Sequence, residues 1–67
     1  MIEILINGTA ERLQEPLDIT LLLSLRGLAG KRVAVEKNGE IVPKSRHAET
    51  MLAPGDRIEI VVAVGGG

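Results

Sequence analysis

Arg57-Ile58-Glu59-Ile60-Val61-Val62-Ala63-Val64 runs directly into Gly65-Gly66-Gly67. In it Ile58, Ile60, Val62 and Val64 alternate with Arg57, Glu59, Val61 and Ala63, the period of a strand with one face in a core. Just before it, Ala53-Pro54-Gly55-Asp56 reads as a type II turn, with proline at the second position and glycine at the third. At the other end of the chain Ile2, Ile4 and Ile6 alternate in the same way. Two half-buried strands are therefore expected far apart in sequence. No short loop can join them, but they can pair across the middle of a sheet.

The segments between fit that frame. Asn7-Gly8 suits the positive φ angles of a type I′ turn, so a hairpin returns along Thr9 to Leu13. Gln14-Glu15-Pro16 then interrupts the ladder, because proline lacks a donor. Asp18 caps a helix that begins at Ile19. Ile19, Leu22 and Leu23 share one helical face; Leu21 and Leu25 lie further round, and Arg26 faces partly outward. Gly27 and Gly30 are stop signals. Lys31-Arg32 lead into a third strand, Val33-Ala34-Val35. Asn38-Gly39 turns into a short fourth strand, Ile41-Val42, which Pro43 ends. Ser45 is read as the cap of a single helical turn reaching Met51.

The order β-β-α-β-β-β specifies an α+β domain. Packing the helix on one face of a mixed sheet gives the β-grasp arrangement, with Leu22 and Leu23 against Ile4, Val35 and Ile60. Residues 1–64 are expected to form this domain and residues 65–67 a flexible glycine tail. Alternation would put Ile2, Ile4, Ile6, Ile58, Ile60 and Val62 toward the helix and Leu5, Ala34, Val61 and Ala63 on the other face. One helix cannot cover both faces, so those four are expected to form an apolar patch for a partner protein.

Composition narrows the function. A chain of 67 residues leaves little room for a deep cavity beside its core, which favours a carrier or binding module over an enzyme. The sequence has no aromatic residue and a net charge of −1, so it has no platform for stacking bases and no general attraction to phosphate; nucleic acid is not an expected partner. It has no cysteine, which excludes disulfides, thiolate metal sites and a cysteine nucleophile. That agrees with a reducing compartment, and a cytoplasmic location is expected. Met1 leads straight into the first strand, so no signal peptide is expected. The apolar runs are too short for a membrane span.

Little in the sequence looks catalytic. His47 is the only histidine and sits in the polar stretch Lys44-Ser45-Arg46-His47-Ala48-Glu49. It is read as a surface-loop residue, and one histidine is too few for a dedicated zinc site. No metal ligand and no catalytic residue is assigned. The three glycines are not a phosphate loop, because no helix follows them. A glycine tail on a rigid strand can instead enter a narrow channel, since no Cβ obstructs it. The one functional group so presented is the carboxylate of Gly67.

The segment Val33-Ala34-Val35-Glu36-Lys37-Asn38-Gly39-Glu40-Ile41-Val42-Pro43-Lys44 resembles the central motif of the ThiS family, the thiamine-biosynthesis sulfur carriers. Pro54-Gly55-Asp56-Arg57-Ile58-Glu59-Ile60-Val61 and the final Gly-Gly are similar to the same family. The likeness spans nearly the whole chain. A Gly-Gly end alone is shared with ubiquitin and the molybdopterin carriers; the central motif together with that end is more specific. The resemblance implies a ubiquitin-like β-grasp fold and a carrier that partner enzymes act upon. An E1-like adenylyltransferase would use ATP to adenylate the terminal carboxylate. A sulfur relay fed by a cysteine desulfurase would convert it to a thiocarboxylate, and thiazole synthase would take the sulfur for the thiazole ring. No cofactor would be permanently bound. The sulfur would sit on Gly67, with Gly65 and Gly66 recognised as the tail. Two departures stand out: position 47 is often aromatic in the family and is His47 here, and Gly65 makes the end a triple glycine. Other readings of the same chain are a molybdopterin sulfur carrier, a ubiquitin-like modifier, and an interaction domain with an inert tail.

Overall fold

The computed structural model describes residues 1–14 and 16–63. Within them the chain forms β1 (Ile2–Ile6), β2 (Thr9–Leu13), α1 (Ile19–Leu25), β3 (Val33–Lys37), β4 (Glu40–Val42), a 3-10 helix (Lys44–Glu49) and β5 (Arg57–Val62). The strands make one sheet in the order β2-β1-β5-β3-β4. The two hairpins are antiparallel, and so is β3 with β5. β1 and β5 run parallel at the centre of the sheet. The first and last strands thus meet mid-sheet, as their apolar faces require.

Local chemistry fixes each turn. Asn7 and Gly8 have φ of 50° and 83°, and Asn38 and Gly39 have 53° and 87°. Both hairpins therefore close through type I′ turns, whose twist matches that of the flanking strands. The Asp18 carboxylate accepts from the Leu21 N–H (2.8 Å) and caps α1. The helix ends at Gly27, φ 74°. There the Gly27 N–H donates to the Ser24 carbonyl (3.1 Å) and the Leu28 N–H to the Leu23 carbonyl (2.8 Å). This is a Schellman motif, and the left-handed residue it needs is supplied by glycine.

The core lies between α1 and one face of the sheet. Ile4, Ile6, Ile19, Leu22, Leu23, Val35, Ile58 and Ile60 are buried in one cluster, including all five residues expected to pack there. Leu17 and Leu52 belong to the same cluster but carry no periodic signal. They are held by each other's segment: the Leu52 N–H donates to the Leu17 carbonyl (2.8 Å), and the Ile19 N–H to the Thr50 carbonyl (3.1 Å).

Three expectations are corrected. Ser45 caps nothing: Pro43 stands at the N-cap of the 3-10 helix, with no side-chain cap bond, and Ser45 lies inside it. Val62 keeps the helix-side register but is 39% exposed, at the end of β5 where its partner Val33 is also only half-buried. His47 is buried rather than on the surface, 5% exposed, with Nε2 3.0 Å from the Val42 carbonyl. The 3-10 helix folds back against α1 and turns this ring inward. Its polar neighbours in sequence stay outside.

Leu22 is 2% exposed at the centre of this cluster. Leu22→Ala is expected to cost about 2–5 kcal/mol. Urea unfolding followed by far-UV circular dichroism measures it, since the chain has no aromatic reporter. A loss below about 0.5 kcal/mol, the range of surface sites, would contradict this packing.

Candidate functional site

β5 is the strand that leads to the glycine end, and it is held from both sides. On one side it pairs with all five residues of β3, from Val33↔Val62 to Lys37↔Ile58. On the other it meets β1 only at Leu5↔Arg57 and Ile6↔Ile58, because β1 turns away at Asn7. The Asn7 side chain continues the ladder. Its amide donates to the Ile60 carbonyl (3.1 Å), and its oxygen accepts from the Ile60 N–H (2.8 Å). Beyond β5, the Ala63 N–H donates to the Arg32 carbonyl (2.9 Å).

The start of β5 is held by the other hairpin turn. The Asn38 side chain donates to an Asp56 carboxylate oxygen (3.0 Å) and accepts from the Arg57 N–H (2.9 Å). The second Asp56 oxygen accepts from the Ala53 N–H (2.8 Å) and lies 3.6 Å from Lys37 Nζ. Burial opposes the charge on Asp56. The Asn38 and Ala53 hydrogen bonds and the Lys37 ammonium outweigh it, holding the carboxyl below its ordinary value of 3.8. Both asparagines read from sequence as turn formers are thus also clamps on β5. Sequence supplied the turn signal but not this second role, which depends on contacts 53 and about 19 residues away.

On the face away from α1, Leu5 is 37% and Val61 62% exposed, and Ala34 and Ala63 are exposed too. They do not form one patch. Ala34 is directly paired with Val61, with Ala63 beyond. Leu5 is paired with Arg57 and Ala10. Arg57 and Glu59 separate it from Val61, which lies about 13 Å further along the strand. Glu36 and Glu59 face each other in the next pair, and Ile41, 67% exposed, flanks Glu36 on β4. The apolar ground near the end of β5 is therefore Ala34, Val61 and Ala63, bordered by two carboxylates.

Gly65, Gly66 and Gly67, assigned from sequence to the tail and the sulfur site, lie outside the described residues, as do Val64 and Glu15. Among the described residues no group of acidic and histidine side chains is arranged to hold a metal. No helix there is long and apolar enough to cross a membrane.

The family model for the ThiS family matches residues 3–67. The chain belongs to the ThiS family. This ThiS-family chain is 50% identical over 46 residues to the sulfur carrier protein ThiS of Bacillus subtilis, covering 69% of the chain and 70% of that protein. It is 40% identical over 65 residues to a thiazole synthase of Paramagnetospirillum magneticum. That match takes in 97% of the chain but only 20% of the relative. Its fold is similar to the crystal structure of the thiamine biosynthesis protein ThiS from Geobacter metallireducens, with a TM-score of 0.84 and 32% identity over 98% of this chain and 100% of that one. The mixed five-stranded sheet with one helix on one face is thus the β-grasp fold of ThiS.

The Asp56 network makes a pH prediction. A carboxyl whose folded value is depressed contributes stability above its unfolded value, and that contribution is lost as pH falls through the folded one. Asp56→Asn is expected to cost about 1–3 kcal/mol at neutral pH. The gap from the unmodified chain should close as pH drops below 3.8. Urea unfolding across pH reads this; a gap that stays constant into acid would show that Asp56 does not act as a carboxylate.

Proposed function

We propose that this chain is a sulfur carrier of thiamine biosynthesis and that the sulfur rides on the carboxylate of Gly67. The observation that carries the reading is the family match, which extends through residue 67 and so takes in the terminal glycines. The names of its relatives, a ThiS carrier and a thiazole synthase, favour the thiamine branch. The chain's small size and the absence of cysteine favour a passenger over a catalyst.

The chemistry follows from the reactivity of a carboxylate. Sulfur cannot displace oxide from it. In the proposed cycle an E1-like adenylyltransferase lets a Gly67 oxygen attack the α-phosphorus of ATP, expelling pyrophosphate and leaving an acyl-adenylate. The terminal sulfur of a persulfide, carried by a relay fed by a cysteine desulfurase, displaces AMP to give an acyl disulfide. A second thiol of the relay then attacks the relay-side sulfur, releasing the thiocarboxylate and leaving a disulfide on the relay. Thiazole synthase takes that sulfur, and the end returns to a carboxylate. The fold supplies recognition and the partners supply catalysis. Docking of the folded domain raises the local concentration of the tail at each partner's reaction centre.

The first test is intact-mass spectrometry after incubation with ATP, an activating enzyme and a sulfur source. The mass should rise by the difference between one sulfur and one oxygen, mapped to the last peptide. Deleting Gly67, or appending an alanine after it, should abolish this gain with little effect on stability. Gly66→Val should slow adenylation, because a side chain there obstructs a narrow channel. Sulfur found elsewhere on the chain, or thiazole formation by the shortened chain, would sink the proposal.

The surface of Ala34, Val61 and Ala63 is proposed as a partner contact on the same grounds, being apolar, exposed and next to the end of β5. Val61→Asp should leave the unfolding midpoint within the range of surface substitutions, about 0.5 kcal/mol, and weaken binding to the adenylyltransferase and to thiazole synthase. Equal binding to both by the variant and the unmodified chain would remove this surface from the mechanism.

A further inference from the structure

The chain has eight Lys and Arg residues. Arg12, Arg26, Lys37 and Arg46 each pair with a carboxylate. Among the described residues, the other four have no carboxylate within 4.0 Å. Three of those four, Lys31, Arg32 and Lys44, line a single cleft of about 610 Å³. It lies between one side of α1, the loop into β3 and the 3-10 helix. Leu23, Leu28 and Val33 give it an apolar wall, and among the described residues no acidic one lines it. In a chain with a net charge of −1, this is a segregation of positive charge rather than an excess of it.

The cleft borders the end of β5. Val33, in its wall, pairs with Val62. Arg32, also in its lining, accepts the Ala63 N–H through its carbonyl. A protein that contacts the end of β5 at Val62 and Ala63 therefore meets the cleft beside it. The three cations are exposed and come from two separate segments, the loop into β3 and the first residue of the 3-10 helix, with apolar surface between them. His47 also lines the cleft, but its Nε2 is engaged with the Val42 carbonyl. A small inorganic anion calls for convergent, enclosed donors. Spread cations around an apolar wall match a longer ligand whose carboxylates reach the rim while apolar side chains rest on Leu23, Leu28 and Val33.

We propose that this cleft docks an acidic segment, interspersed with apolar residues, of the enzyme that activates the C-terminal carboxylate. This rests on the sulfur-carrier reading above. The cations steer that segment and set the orientation in which the glycine end is presented. Charges of this kind act mainly on association and its salt dependence, not on the chemical step.

The test uses the full chain. It contains no cysteine, so Ala10→Cys, on β2 at the opposite edge of the sheet from β4, gives one position for a fluorophore. Binding to the adenylyltransferase is read by anisotropy without ATP, and turnover by pyrophosphate exchange. The triple variant Lys31→Glu/Arg32→Glu/Lys44→Glu should weaken binding at low salt by about tenfold or more and raise KM with kcat kept. The deficit should shrink as salt rises. Replacing the same three with Gln should give an intermediate loss. Arg57→Glu, which reverses the fourth unpaired cation on the outer face, should change binding by less than about twofold. Unchanged binding by the triple variant, or an equal loss in Arg57→Glu, overturns the docking proposal. An unmodified chain that binds through the cleft but is never adenylated overturns the sulfur-carrier reading alone.

Discussion

The Asn7 amide, bonded to both the N–H and the carbonyl of Ile60, closes the structure. The parallel pairing of β1 with β5 is the longest-range tie in the sheet and also the shortest ladder, two residue pairs long. Closing a loop of this size costs conformational entropy before any contact rewards it. A two-pair ladder is weak compensation, and a side chain that mimics a further strand residue extends it without lengthening β1. Lengthening β1 is not open to the chain, because the same asparagine must adopt positive φ to turn the first hairpin. Asn38 repeats the device at the other hairpin, gripping the start of β5 through Asp56 and the Arg57 N–H. β5 is thus clamped near its start and its middle by the tips of two independent hairpins.

This constraint shapes what the molecule can do. A domain of this size spends nearly all its buried surface on one helix against one sheet face. That leaves little room for an enclosed cavity. The proposed carrier role would need none, because the reacting group would be the chain end and the partners would supply the catalysis. That role would call for a strand whose end stays in register with the proposed contact surfaces around it. Fixing β5 on both edges supplies that. Ala34 opposite Val61, and Arg32 holding the Ala63 N–H, are set by the same ladder.

The parts of the fold that were legible in the sequence are those governed by local rules. Alternating Ile and Val placed the central strands, Asn-Gly pairs placed both hairpins, and Asp18 and Gly27 bounded the helix, because each signal acts within a few residues. What escaped depends on contacts through space. His47 looked like a surface residue because its sequence neighbours are polar, yet Val42 and the fold-back of the 3-10 helix bury it. Leu17 and Leu52 joined the core through a backbone bridge between two segments without period. Alternation correctly exposed Leu5, Ala34, Val61 and Ala63, but it could not give the β1–β5 register. That register puts Leu5 beside Arg57 and away from the other three. The cleft was equally hidden, since Lys44 and Arg32 become neighbours only when the 3-10 helix packs against α1. The Gly-Gly end, by contrast, was legible only as sequence, for the chemistry proposed for it uses a main-chain carboxylate rather than a side-chain arrangement.

Charge is distributed so that the two sides of the β5 end differ in sign. On the outer face Glu36 and Glu59 oppose each other across β3 and β5, beside Ala34, Val61 and Ala63. Like charges directly opposite destabilise a sheet, so neither glutamate is there to strengthen the ladder. On the helix side the same end is bordered by Lys31, Arg32 and Lys44 around apolar walls. If both surfaces dock the same partner, as proposed above, neither alone would fix its orientation. Together they would, because a protein approaching in the wrong sense would set like charges against each other on both sides at once. If the proposed chemistry takes place at the Gly67 carboxylate, presenting that end in a single orientation is the specificity the partners would require.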